Sequence, residues 1–353
     1  MKFATKKSFV RIAIGLAVLA IFFTAFIYCL VSMPGKSYSG VLPKLSSDEK
    51  ELSSNLRRHV EYLCSEICPR NFLNPKGLAA SADYIDRQFR EFGYSPVRTQ
   101  FKAEEGLLKD YPSAPDNEIT YENIAVEIRG SRLPDEIFVI GAHYDSPAAV
   151  DGCRAANDNA SGVAAVLELA HRFSGKTFDR TVRFVSFPNE EPPFFWTSSM
   201  GSYVYAKGCR DRKEKIIGMY SLETIGYYSD KPGSQDYPPP LKYVYPDKGD
   251  FVGFVGNISS IGLIRKSASI FRKKVKFPSE GAALLSSIPG VGWSDHWSFW
   301  EMGYPALMVT DTAPFRYPYY HSSSDNPDKL DYDSMARVVA GLDLVIQEIL
   351  NSK

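Results

Sequence analysis

Five short segments of this 353-residue chain carry residue types that do chemistry together. They read His143-Tyr144-Asp145-Ser146, Asn157-Asp158-Asn159-Ala160-Ser161-Gly162, Pro188-Asn189-Glu190-Glu191, Glu223-Thr224-Ile225-Gly226 and Tyr320-His321. Histidines and several carboxylates, with no fitting Ser or Cys nucleophile motif, point to hard or borderline metal ions. Zinc takes imidazole and carboxylate ligands, and a catalytic zinc keeps one position open for water. Two ions a few ångströms apart need a shared carboxylate and separate terminal ligands. Hydrolysis also needs a carboxylate that takes the proton from water, and adjacent Glu190 and Glu191 can divide the work, one ligating and one accepting the proton. Taken singly, each segment has an ordinary explanation. A His after a strand is usually a hydrogen-bonded surface residue, Asp-Asn before a helix is usually a cap, and Glu-Glu at a strand end is usually solvated. Their joint occurrence is what points to a site.

The elements that must position these residues alternate between strand and helix. Ile124, Val126 and Ile128 have strand period, and 136–142, 181–187, 215–222 and 304–310 are near-continuous apolar runs. Between and around them, helical spacing predicts helices from the capping box Ser46-x-x-Glu49, after Pro75, and over 161–173, 199–210 and 334–350. This pattern predicts an α/β fold, a three-layer sandwich with a central, mostly parallel twisted sheet and helices on both faces. In such sheets ligands bind outside the carboxyl ends of the strands, where four of the five segments fall; Asn157–Gly162 instead leads into a helix. Residues 229–250, rich in Pro, Tyr, Asp and Lys, read as a long surface loop.

At this point the chain resembles a known family. The segments GAHYDS (141–146), ANDNASG (156–162), NEE (189–191), LETIG (222–226) and SDH (294–296), with His321, are similar to the zinc-dependent aminopeptidases with co-catalytic metals. That family also contains glutaminyl cyclases and receptor ectodomains that have lost activity, and the resemblance covers roughly 46–353. It implies two zinc ions, or one, with Asp158 bridging, His143 and Glu223 completing one site, and Glu191 and His321 the other. It implies Glu190 as general base, Asp145 as the residue orienting His143, and Asp295 as a further carboxylate near the site. The implied activity is removal of N-terminal residues from peptides with a free N-terminus. Two departures stand out. Glu223 occupies a position where the family commonly has Asp. Glu190-Glu191 is followed by Pro192-Pro193-Phe194-Phe195-Trp196, where a Trp five residues on is more like the cyclases. A glutaminyl cyclase, or a binding ectodomain without catalysis, are therefore the alternatives. The tryptophans Trp196, Trp293, Trp297 and Trp300 fall in or beside these segments, as a substrate pocket or as core. Arg316 reads as a substrate contact or a loop brace, His296 as structural, and His59 and His171 as helix residues without a partner signal.

Composition limits the rest. With 41 basic and 41 acidic side chains, the chain lacks the basic excess that neutralises phosphates, which argues against nucleic acid as a partner. Lys2, Lys6, Lys7 and Arg11 precede 22 uncharged residues from Ile12 to Met33, about 33 Å as a helix and enough to cross a hydrocarbon core. This fits an uncleaved signal anchor better than a cleaved signal, whose apolar stretch is shorter. The expected organisation is a basic flank and membrane anchor over 1–33, a linker over 34–45 and a peptidase domain over 46–353, exported and held to the membrane. Cys64, Cys68, Cys153 and Cys209 form no metal-binding pattern; they could pair as disulfides or remain thiols.

Overall fold

The computed structural model describes residues 6–111, 114, 119–152 and 154–352, with the backbone alone at 6–10, 12, 20, 21, 23, 24 and 26. Eight strands form one sheet: β1 (Val97–Phe101), β2 (Tyr121–Ile128), β3 (Leu133–His143), β4 (Arg180–Phe187), β5 (Lys215–Glu223), β6 (Val252–Asn257), β7 (Ser279–Leu284) and β8 (Ala306–Thr310). Their order is β1-β2-β4-β3-β5-β8-β6-β7. The helices are α1 (Lys6–Val31), α2 (Ser47–Tyr62), α3 (Pro75–Glu91), α4 (Gly162–Phe173), α5 (Gly201–Asp211), α6 (Ile261–Lys274), α7 (His296–Glu301), α8 (Ala313–Arg316) and α9 (Tyr332–Asn351).

The expected sandwich is present, with a qualification about strand direction. The four contiguous strands β4, β3, β5 and β8 run parallel, as do β6 and β7. Strands β1 and β2 at one edge, and the β8–β6 junction at the other, are antiparallel, so the sheet is mixed. β3 shows why two helical layers are needed. Phe138 and Ile140 join the large core shared with α4 and α9, while Ile137 and Val139 face the opposite way and pack with Ala206 of α5 and Phe299 of α7. A strand apolar on both faces can only be satisfied by cover on both.

The capping box forms as the sequence predicts: Glu49 N–H donates to Ser46 Oγ at 3.1 Å and Ser46 N–H to Glu49 Oε2 at 2.8 Å. β1, β6, α6 and β7 were not legible. β1 is largely exposed and polar, and β6 is diluted by Gly253 and Gly256. Cys64 and Cys209 are buried thiols; Cys153 lies outside the described residues.

At the N-terminus, α1 covers the expected anchor. Among the described residues no helix is long and apolar enough to cross a membrane, and the stretch 12–33 includes positions whose side chains are not described. The segment after α1 lies along the domain and is held there. Arg265 donates to Ser32 O at 2.7 Å, Arg272 to Met33 O and Gly35 O at 3.0 and 3.1 Å, and Ser279 N–H to Ser37 Oγ at 2.9 Å. Met33 is buried against β7 where Gly281 leaves room; a Cβ there would stand 2.6 Å from Met33 Cγ.

Candidate metal centre

The four parallel central strands end on one edge, and their ends deliver the acid-base residues. His143 closes β3, with Asp145 two residues on. Glu190 and Glu191 follow β4, and Glu223 closes β5. The chain after β8 turns through α8 and brings in His321. Asp158 sits on the irregular turn Ala156–Ser161 that leads into α4. The helix starts flush against β5 because residue 162 is glycine: a Cβ there would meet Leu222 O at 2.2 Å.

The side chains converge as two groups that share Asp158. In one, His143 Nε2 lies 3.3 Å from Asp158 Oδ1 and 3.3 Å from Glu223 Oε2. In the other, His321 Nε2 lies 3.0 Å from Asp158 Oδ2 and 3.3 Å from Glu191 Oε2. Ligand atoms around a tetrahedral zinc with bonds of about 2.0–2.1 Å must be about 3.3 Å apart, so the spacing fits. Moreover, His143 Nε2 and Glu191 Oε1 are buried and make no hydrogen bond. Buried polar atoms normally have partners, and a cation inside each group would supply them. These residues could therefore hold zinc. Glu190 is adjacent but belongs to neither group; its Oε2 is 3.9 Å from His143 Nε2.

Neighbouring side chains fix this arrangement. Asp145 accepts from His143 Nδ1 at 3.2 Å, from Glu190 N–H at 3.1 Å and from Glu191 N–H at 3.0 Å, so one carboxylate orients the imidazole and the Glu-Glu backbone together. Ser294 Oγ donates to Glu223 Oε2 at 2.7 Å, and Asn159 Nδ2 to the same oxygen at 3.2 Å. Asp325 accepts the N–H of Asn157 and of Asp158 at 2.9 and 3.2 Å, and Tyr317 O–H at 2.7 Å. Fully buried Arg70 donates to Tyr144 O, Leu63 O, Arg154 O and Ala155 O, tying down both ends of the loop between His143 and Asp158.

The electrostatics call for positive charge. Burial works against charge on His143, yet the carboxylates of Glu223 and Glu190 outweigh it and lift its pKa well above 6.5. Burial likewise opposes the His321 cation, but Asp158 and Glu191 raise it to about 11. Against the same burial, the two imidazoles hold Asp158 below the usual carboxylate range. Burial, reinforced by Asp158, pushes Glu191 up to about 7; it does the same to Glu223, and raises Glu190 well above the usual range. Several carboxylates crowded out of water cannot all be ionised without cations among them.

Comparison with known proteins decides the family. The model for Peptidase family M28 matches residues 123–344. The chain belongs to Peptidase family M28. An uncharacterized Escherichia coli protein, YfbL, is 36% identical over 304 residues, covering 84% of this chain and 88% of its own. A probable zinc metalloprotease of Phaeosphaeria nodorum is 27% identical over 231 residues, 58% of this chain and 44% of that one. Among solved structures, the Bacillus subtilis zinc aminopeptidase BSAP superposes with a TM-score of 0.65 at 15% identity, covering 88% of this chain and 97% of that one. The glutaminyl cyclase of Fimbriiglobus ruber does so with a TM-score of 0.60 at 21% identity, covering 90% and 99%. These structures establish the fold, and the M28 membership supports a metallopeptidase.

Next to the M28 site lies an apolar pocket. Glu223 and Tyr320 line it at the ligand end, and Leu241, Tyr245, Val255, Leu284, Met308 and Phe315 line the rest. The loop 229–250 thus forms a wall of the pocket. Of the four tryptophans only Trp293 lines it. Trp196 is 46% exposed and stacks on Phe195, Trp297 packs on Tyr203, and Trp300 donates to Ala306 O. Arg316 is a brace, donating to Gln235 Oε1 and Phe251 O at 2.7 and 2.8 Å. His296 is structural: its Nε2–H donates to Val291 O at 2.8 Å. His59 is buried between Tyr84 O–H and Glu168; His171 stacks on Phe92. Asp295 is fully buried with no hydrogen bond to either oxygen, and burial raises its pKa to about 7. Sequence reasoning missed Arg70 and Asp325, which sit in irregular loops with nothing to mark them, whereas Asn159 and Ser294 lay inside segments already singled out, without a role.

Proposed function

We propose that this M28 metallopeptidase is an aminopeptidase that hydrolyses the N-terminal peptide bond. The observation that carries this reading is the pair of ligand groups sharing Asp158, with the carboxylate of Glu190 beside them and outside both. In this reading His143, Asp158 and Glu223 hold one zinc ion, and Asp158, Glu191 and His321 the other. Bound zinc would supply the Lewis acidity that polarises the scissile carbonyl and makes water acidic near neutral pH. Glu190 takes the proton from the attacking water and passes it to the leaving amine. Asp145 keeps His143 and the backbone of Glu190 and Glu191 in register. Because Glu223 and Tyr320 line the apolar pocket, a side chain seated there puts its own carbonyl beside the ligands, which suits a substrate's first residue.

The test is a panel of peptides, including ones with N-terminal Gln, incubated with the full chain in detergent and read by mass spectrometry with and without a chelator. Chelator-sensitive loss of single N-terminal residues is expected. Loss of ammonia from Gln peptides alone would replace the aminopeptidase with a glutaminyl cyclase, and no change in any peptide would leave a binding domain.

We also infer that α1 anchors the chain in a membrane with the peptidase domain exported. The support is the basic flank, the 22 uncharged residues, and the outward exposure of Ile14, Leu16, Leu19 and Phe22. A reporter fused to the C-terminus should give the exported signal; a cytoplasmic signal would reverse this topology.

A further inference from the structure

α1 leaves the domain beside the wall of the apolar pocket. Its last residue, Val31, packs on a small apolar cluster that also contains Leu241, Tyr245, Leu284 and Ile288. Leu241, Tyr245 and Leu284 line the pocket on their way past that cluster. Residues one or two positions from them point outward: Tyr243 is 81% exposed, Val244 50% and Leu285 59%. Tyr28 and Ile27 are exposed within one turn of the end of α1, so the apolar surface of the helix continues almost to the domain. The domain cannot swing clear of this junction, because Arg265, Arg272 and Ser37 hold the chain from Ser32 to Ser37 along α6 and β7. Lys242 sits over the Tyr243 ring at 5.2 Å. An exposed Tyr with apolar neighbours and a Lys whose stem can lie along them is the residue mix favoured at a lipid–water boundary.

We infer that Tyr243, Val244 and Leu285 rest on the lipid surface into which α1 leads, so that the pocket wall is the membrane-facing side of the domain. This rests on the reading of α1 as a membrane anchor. The bilayer is preferred to a protein partner because α1, whose outward residues are apolar, ends at Val31 on the same cluster as Leu241, Tyr245 and Leu284, one or two positions along the chain from the exposed residues of the patch. The functional consequence is that peptide N-termini lying at the bilayer surface are the substrates nearest the pocket.

The test places a photoreactive benzoylphenylalanine, one site at a time, at Tyr243, Leu285, Phe22 and Val97 of the full chain. Val97 is 62% exposed on β1 at the opposite edge of the sheet. The protein is reconstituted in vesicles of equal parts phosphatidylcholine and phosphatidylglycerol, illuminated and analysed for lipid adducts by mass spectrometry. Adducts at Phe22, Tyr243 and Leu285, and none at Val97, are expected. Adducts at Phe22 with none at Tyr243 and Leu285 would keep the anchor and overturn the docking surface. No adduct at Phe22 would overturn both. Cross-links from Tyr243 or Leu285 to a second copy of the chain, without lipid adducts, would assign the patch to a dimer instead.

Discussion

Replacing Asp145 with Asn removes one charge and no volume, and the structure says what that should cost. The carboxylate serves three donors at once: His143 Nδ1, Glu190 N–H and Glu191 N–H. Asn keeps one oxygen. Its amide nitrogen must then face one of the two backbone N–H groups, a donor set against a donor in a site that is almost wholly buried. Losing one hydrogen bond to a charged acceptor costs about 1.5–3 kcal/mol, and an unsatisfied buried donor is itself expensive. Relieving the clash turns the Glu-Glu backbone or the His143 ring, and both carry groups facing the ligand cluster. A loss of about 3 kcal/mol in site organisation corresponds to about a hundredfold, the upper end of what removing a metal-orienting partner costs in metal affinity or activity. Zinc affinity of Asp145→Asn, measured by competition with a calibrated chelator, should fall by about that factor, and kcat/KM on a peptide substrate should fall with it. Thermal unfolding of the metal-free protein, measured in parallel, separates site disorder from a damaged fold. Zinc affinity and turnover indistinguishable from wild type would refute the argument that Asp145 organises the site.

Glu190→Gln is isosteric and leaves both ligand groups intact. It should lower kcat by about 10²–10⁴-fold, the range expected for a lost general base, while zinc content stays at the wild-type level; retained turnover would remove Glu190 from that role. Arg70→Met removes a buried side chain that donates to four backbone carbonyls, of which Arg154 O is only partly buried and Ala155 O also accepts from Ala160 N–H, and urea unfolding should show a loss of about 3 kcal/mol; a loss below 1 kcal/mol would mean the loop holds itself. Burial lowers the pKa of His296 from 6.5 to about 4, so the fold favours its neutral form. The associated stability is present in full above pH 6.5 and is lost as the pH falls toward 4, in total about 3 kcal/mol. Comparing urea unfolding of wild type and His296→Gln between pH 7 and 4 isolates this contribution, since Gln has nothing to titrate there; parallel curves would contradict it.

How much of this was legible in sequence depended on whether a residue's neighbours in the chain reveal its neighbours in space. His143, Glu191 and Glu223 stand at the ends of apolar strands, and strand ends in a parallel sheet share one edge, so their convergence could be anticipated. Asp158 and His321 come from a turn and a loop, and it was the resemblance of their segments to a family that placed them. The residues that fix the ligands were another matter. Asp325 reaches the Asn157 and Asp158 backbone across 168 and 167 positions, and no periodicity encodes that. The four parallel strands were readable because each is apolar along most of its length. The β6–α6–β7 unit was not, because β6 carries two glycines in six residues and the unit lies in the stretch between the segments at 222–226 and 294–296, which holds no motif. The loop 229–250 was identified, but its role as a pocket wall depends on Leu241 and Tyr245 meeting β6 and β7.

That unit divides the molecule's labour in a way that bears on how it could diversify. The ligands hang from β3, β4, β5, the turn before α4 and the loop after β8, whereas much of the pocket is built from β6, β7 and the 229–250 loop. β6 and β7 join the sheet only through the antiparallel β6–β8 seam. On the proposed aminopeptidase reading, substitutions at Leu241, Val255 or Leu284 therefore reshape what is accepted without moving a ligand, leaving one reaction centre able to serve many preferences in descendants of a single sequence.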